Sequence, residues 1–200
     1  MDQQPAAPIR LDYRVIVDLI EPNSRVLDMG CGGGDLLELL IKRKSCRGTG
    51  IEIDEKAIYS CVAKGLTVSH GDINSGLTDY ADKRFDYVIL NESLQQILNP
   101  QKAILEALRV GKKVIVGIPN FCHIQARFQI FFRGKVPVTK ELPYEWYNTP
   151  NLRFFSLKDF KEFCKINGIA ILNQKAVDAK KEVTFLPNLF AHIGVFLLEK

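Results

Sequence analysis

The chain has 200 residues, 46% of them hydrophobic and 25% charged, with a formal net charge of +4 at pH 7. Those figures describe one soluble domain, predicted to span residues 1–200, and 14 Gly and 9 Pro exclude collagen-like and low-complexity chains. Its apolar runs are too short to span a bilayer, and no basic segment followed by an apolar stretch opens it, so a cytoplasmic protein without membrane contact is expected.

Five cysteines (Cys31, Cys46, Cys61, Cys122, Cys164) form no C-x-x-C pair and read as reduced thiols. His70, His123 and His192 stand far apart and outside any zinc-type spacing, so no metal site is expected.

In chain order, an amphipathic helix over residues 11–20 precedes a first strand at 25–29 (RVLDM). A helix over 34–44 has a wide leucine face and ends in Lys42, Arg43 and Lys44, which suit the negative end of its dipole. The second strand is read at 49–53. Asp54 then caps a helix to Lys64 that Gly65 closes. A third strand covers 66–70. The nearly unbroken apolarity of 85–90 (FDYVIL) predicts a parallel strand buried on both faces. Asn99-Pro100 is a cap followed by proline at the first helical position, opening a helix to about Val110 before a fifth strand at 113–118. Past Pro119 the rhythm changes. Residues 121–132 carry a helical apolar stripe at 121, 124, 128, 131 and 132, and 134–150 are irregular, with three prolines and the aromatics Tyr144, Trp146 and Tyr147. Ser156 and Asp159 resemble a capping box for a helix to Asn167, and strands at 169–177 and 193–198 close the chain. The alternation predicts an α/β fold with a doubly wound, mostly parallel seven-stranded sheet and a helix/loop insertion at about 121–155.

Between Ala107 and Lys140 stand seven basic residues (Arg109, Lys112, Lys113, Arg127, Arg133, Lys135, Lys140) and no acidic one. They read either as a solvated face or as a docking surface for something acidic. Nucleic acid is not expected, because its binders are usually more strongly basic.

The first strand runs into Asp28-Met29-Gly30-Cys31-Gly32-Gly33-Gly34-Asp35. Glycines at a strand-to-helix turn let backbone approach a ligand, and the helix N-terminus offers unpaired N–H groups. The spacing argues against a dinucleotide, since Asp35 falls where the third fingerprint glycine belongs and would repel a diphosphate. The P-loop also fails, lacking Gly-Lys-Ser/Thr. What remains is Asp28, Gly30, Gly32 and Gly34, an acidic glycine turn suited to a cationic ligand. S-adenosylmethionine carries a sulfonium and an α-ammonium, and Glu52 at the end of strand two is placed for ribose hydroxyls. Asp72 is placed for the adenine amine with Ile53 and Ile73 nearby, and Asn91 after strand four faces the reactive end. No acceptor motif follows strand four, which reads Asn91-Glu92-Ser93, and Glu92 and His123 are only candidate bases, so the catalytic residues are unknown.

The arrangement resembles the class I S-adenosylmethionine-dependent methyltransferase fold, which implies strand order 3-2-1-4-5-7-6 with the last strand antiparallel. More narrowly, 27–32, 50–54, 85–90, Arg133 to Lys140 and above all Pro143-Tyr144-Glu145-Trp146-Tyr147 resemble the bacterial MetW family of methionine biosynthesis proteins, over about residues 9–172. Gly33 and Asn148 stand where that family usually has Asp. The resemblance implies a protein acting with homoserine O-acyltransferase and binding S-adenosylmethionine. Arg133, Lys135, Tyr144, Trp146 and Tyr147 are candidate partner contacts; residues 143–150 could instead be a lid over the cofactor, and Trp146 a plug at the mouth of the fold. The alternative is an active methyltransferase on an unidentified small-molecule, protein or RNA acceptor.

Overall fold

The computed structural model describes residues 9–139 and 142–200, so Lys140 of the basic stretch lies outside the described residues. Seven strands form one sheet: β1 (Arg25–Met29), β2 (Arg47–Glu52), β3 (Thr67–His70), β4 (Phe85–Asn91), β5 (Gly111–Pro119), β6 (Ala170–Val177) and β7 (Ile193–Glu199). Their order is β3-β2-β1-β4-β5-β7-β6, as expected. The first five pair in parallel, and β7 runs antiparallel to β5 and β6.

Parallel neighbours need crossovers, which helices supply on both faces. These are α1 (Leu11–Leu19), α2 (Asp35–Lys44), α3 (Glu55–Ala63), α4 (Pro100–Val110), α5 (Ile124–Arg133), α6 (Leu157–Ile166) and the short α7 (Pro187–Phe190). Alternate strand residues point to opposite faces. Val88 and Leu90 of β4 therefore join Val114, Val116, Phe196 and the buried faces of α4 and α6. Tyr87 and Ile89 join Ile115, Val195 and the buried faces of α1 and α2 on the other side.

Local chemistry sets the helix starts. Asp54 accepts from Ala57 N at 2.8 Å, Asn99 from Lys102 N at 3.1 Å, and Ser156 with Asp159 forms the expected capping box.

Past Pro119 the boundaries move. The helix expected from 121 starts at Ile124. Asn120 holds the chain in a turn by donating from Nδ2 to the carbonyls of Asn188 and Ala191, at 3.1 and 2.8 Å, while its Oδ1 accepts from Cys122 N at 3.1 Å. His123 is then the N-cap, its Nδ1 accepting from Gln125 N at 3.2 Å. Of α5 only Ala126 is buried. Phe128, Ile130, Phe131 and Phe132 face outward, Phe131 at 81% exposure.

The basic stretch does not form one face. Arg109 pairs with Asp82 and Glu106, Lys112 with Asp86 and Lys113 with Glu21. These lie at or before the start of β5, whereas Arg127, Arg133 and Lys135 follow its end. Nine strand residues put roughly 30 Å between the two groups.

Candidate cofactor site

β1 enters α2 through Gly30, Gly32 and Gly34, all at positive φ. Gly34 answers a packing need, since a Cβ there would collide with Leu66 and stand 2.9 Å from Cys61 Sγ. Gly32 differs: nothing lies within 4 Å of where its Cβ would be, so this part of the turn faces open space. A Cβ on Gly30 would stand 3.3 Å from both Ile73 Cδ1 and Ser93 Cβ, which shows the segments after β3 and β4 meeting at the turn. Behind it Lys64 donates to the Gly33 carbonyl at 2.6 Å and pairs with Asp35.

Asp28 is buried. Burial, and secondarily the negative charge of Glu52, pushes its carboxyl up to about 7. An anion held at such cost is stabilised by a cationic ligand. Glu52 has a role that sequence spacing did not show. Its Oε2 accepts from Gly32 N at 2.8 Å, and its Oε1 from Ile53 N and Asp54 N at 2.8 and 3.0 Å. The carboxylate thus braces the glycine turn, and its remaining lone pairs are what ribose hydroxyls would meet.

Asp72 is exposed, and its Oδ1 accepts from Asn74 N and Nδ2, both at 2.8 Å. Asp72 and Ile73 line a cavity of about 300 Å³ with Ile51, His70 and Tyr80. Ile53 is mostly exposed beyond Glu52. Asn91 donates from Nδ2 to Asp12 Oδ2 at 3.0 Å, and its Oδ1 is buried without a hydrogen-bond partner among the described residues.

Four residues at this end escaped sequence reasoning. Arg10 donates to both Asp12 oxygens, at 3.0 and 2.7 Å, and also pairs with Glu92. Arg10 lies 4.7 Å from the Tyr13 ring centre. The Tyr13 phenol is pushed up to about 12, chiefly by burial, with the charge of Asp12 raising it further and that of Arg10 opposing. Ser93, against Gly30, has a buried hydroxyl without a partner among the described residues. An Arg-x-Asp pair opening an amphipathic helix carries no signal of its own. Beyond this cluster opens a cleft of about 770 Å³ lined by Arg10, Asp12, Glu92, Tyr144, Asp178 and His192. His123, a candidate base, caps α5, and its ring stacks on His192 at 4.0 Å.

The segment after β5 buries Phe121 but presents most of its other aromatics outward. Trp146 is 72% exposed, and its ring meets Tyr147 edge-on at 5.7 Å. Exposure on that scale overturns the plug role. Arg133 and Lys135 are exposed as well. Lys135 borders an apolar cavity of about 560 Å³ lined by Ile130, Val136, Phe154 and Phe155, while Tyr144 and Trp146 flank Val136 and Pro137.

Comparison with known proteins agrees with this architecture. The model of the family described as methionine biosynthesis protein MetW matches residues 10–198. The bifunctional methionine biosynthesis protein MetXA/MetW of Rhodopirellula baltica is 34% identical over 174 residues, 80% of this chain but 28% of that protein. A ubiquinone biosynthesis O-methyltransferase of Methylococcus capsulatus is 31% identical over 93 residues, 44% of this chain and 39% of its own. The chain therefore spans less than half the length of these relatives. Among solved structures, an S-adenosylmethionine-dependent methyltransferase from Archaeoglobus fulgidus superposes with a TM-score of 0.69 at 18% identity, covering 94% of this chain and 91% of its own. One from Thermotoga maritima gives 0.67 at 21% identity, covering 95% and 88%. At such identities the likeness establishes the class I methyltransferase fold.

Proposed function

Because the chain belongs to the MetW family of methionine biosynthesis proteins, we propose that it binds S-adenosylmethionine at the glycine turn and acts with homoserine O-acyltransferase, the enzyme that activates homoserine for methionine synthesis. In this reading residues 1–200 form one domain whose insertion, at about 121–155, is the partner-binding part. The observation that carries the partner is the exposure of the insertion's aromatics, Phe128, Phe131 and Phe132 on α5 and then Trp146 and Tyr147, with the exposed Arg133 and Lys135 between them in the chain. Aromatic anchors beside basic residues have the anatomy of a protein interface, where anchors give affinity and rim charges set association rate. The relative in which MetXA and MetW units share one chain supports the same pairing, with MetXA read as the acyltransferase.

Asp28, Gly30, Gly32, Gly34, Glu52, Ile53, Asp72, Ile73 and Asn91 would hold the cofactor. Bound S-adenosylmethionine supplies an electrophilic methyl group or, with no acceptor in place, acts as a ligand signal. Asp28 supplies a buried negative charge to a cation, the open face of Gly32 admits the ligand, and Glu52 holds the turn in shape. A Glu52→Ala variant is expected to bind ten- to a hundredfold more weakly, about 1.5–3 kcal/mol for a charge-assisted hydrogen bond. Equal affinities by titration calorimetry would remove Glu52 from the ribose.

The partner reading is tested by copurification with the acyltransferase and by acyltransferase activity with added wild-type or variant protein. Trp146→Ala is expected to lose at least ~2 kcal/mol of binding, as interface anchors do, with unchanged circular dichroism because the side chain lies outside the core. Arg133→Glu should slow association, less so at high salt. A folded Trp146→Ala that binds and activates like wild type would place the interface elsewhere.

Methyl transfer is a second reading, favoured by the cleft of about 770 Å³ that opens on Glu92. Release of S-adenosylhomocysteine by the protein with its partner and homoserine would support it.

A further inference from the structure

The loop between β4 and α4 is hydrogen-bonded to both proposed sites at once. On the cofactor side, Leu98 N donates to Asn74 Oδ1 at 2.9 Å, and Asn74 donates twice to Asp72 Oδ1 at 2.8 Å. In the same loop Ser93 lies against Gly30. On the partner side, the carbonyl of Gln95 accepts from Leu152 N and Arg153 N at 2.7 and 3.0 Å. Arg153 Nη2 donates to the Leu98 carbonyl at 2.8 Å. The buried side chain of Gln95 ties the loop to itself, Nε2 donating to the Glu92 carbonyl at 2.7 Å. Leu152 and Arg153 follow Trp146 and Tyr147 closely in the chain, so an unbroken line runs Asp72–Asn74–Leu98–Arg153 into the aromatic segment.

Resting on the function proposed above, we infer that the 92–98 loop couples the two sites, so that S-adenosylmethionine is an allosteric effector of partner binding. A ligand contacting Asp72 and lying against Gly30 restrains Asn74, Ser93 and Leu98. Ser93 and Leu98 belong to the loop that holds Leu152 and Arg153 by three bonds, and Asn74 is tied to it through Leu98, so ordering the loop fixes the base of the aromatic segment. A partner that meets the segment already ordered loses less conformational entropy on docking. Linkage makes the effect reciprocal: cofactor and partner raise each other's affinity by the same factor.

Two measurements test this, one without any partner. Amide exchange is expected to slow at Leu152 and Arg153 when S-adenosylmethionine is added to the isolated protein, and unchanged exchange at saturating ligand overturns the inference. With the acyltransferase, its Kd is expected to fall at least ~5-fold in saturating S-adenosylmethionine, the lower end of ordinary coupling. The exposed Arg153→Ala removes the Leu98 bond and keeps its own backbone bond to Gln95, so the coupling factor, read as the ratio of the variant's acyltransferase Kd without and with S-adenosylmethionine, should drop toward one. Arg153→Lys, which retains a donor, should recover part of the coupling. Coupling undiminished in Arg153→Ala overturns the route. A wild-type protein that shows the exchange effect yet binds no acyltransferase overturns the partner reading and leaves the loop's response to cofactor standing.

Discussion

Gly32→Val is expected to fold and to lose S-adenosylmethionine more than a hundredfold, whereas Gly34→Val is expected to be strongly destabilised. Both glycines have positive φ, +53° and +80°, so either substitution strains the backbone by roughly 1–3 kcal/mol. What differs is the space in front of them. A side chain at 32 meets nothing within 4 Å and projects into the volume assigned to the ligand. One at 34 is driven into Leu66 and Cys61, which belong to the buried cluster between α2 and α3. Overpacking adds roughly 1–3 kcal/mol, and at ~2–4 °C per kcal/mol for a chain of this size the Gly34 variant should melt about 10 °C lower, if it is recovered at all. Calorimetric titration paired with thermal denaturation separates the two. A Gly32→Val protein that binds like wild type would show that the open face of the turn is not where the ligand lies.

The parts legible in the sequence were those with local causes. Asp54, Asn99 and Ser156 cap the helices they were expected to cap, because a cap bonds backbone two or three residues away. The alternation of strands and helices announced a doubly wound parallel sheet, while the strand order was implied by the resemblance to the class I methyltransferase fold. What escaped depends on residues far apart in the chain. Asn120 delays α5 through bonds to Asn188 and Ala191, some seventy positions away. Arg10 and Asp12 reach Glu92 and Asn91 across eighty. The basic stretch looked continuous because a one-dimensional reading does not register that β5 carries its two ends apart, one group to acidic partners and the other to the aromatic segment. Exposure of Trp146 was equally illegible, since an aromatic among prolines reads the same whether it fills a gap or faces outward.

Binding of S-adenosylmethionine is expected to weaken about tenfold for each pH unit below about 7, so that at pH 5 affinity is roughly a hundredth of its value at neutral pH. The group responsible is Asp28, whose carboxyl is raised to about 7 by burial and then by the charge of Glu52. A sulfonium or ammonium favours the ionised form, so ligand lowers this pKa, and below 7 each binding event must expel the proton that Asp28 holds. The Tyr13 phenol, raised to about 12, stays neutral throughout this window and does not contribute. The sign for stability is the reverse of the usual carboxylate. The folded pKa lies above the unfolded one, so Asp28 contributes stability at acid pH that is lost as pH rises through about 7. Stabilisation by ligand accordingly grows over the range in which this contribution of the free protein declines. Calorimetry at pH 6 in buffers of different ionisation enthalpy should count close to one proton released per ligand bound, falling to none near pH 8. Glu52→Gln should move the midpoint down, and only in part, because burial is the larger cause. Affinity that is flat from about pH 5.5 to about 8, with no proton released at pH 6, would mean that Asp28 does not meet the ligand's positive charge.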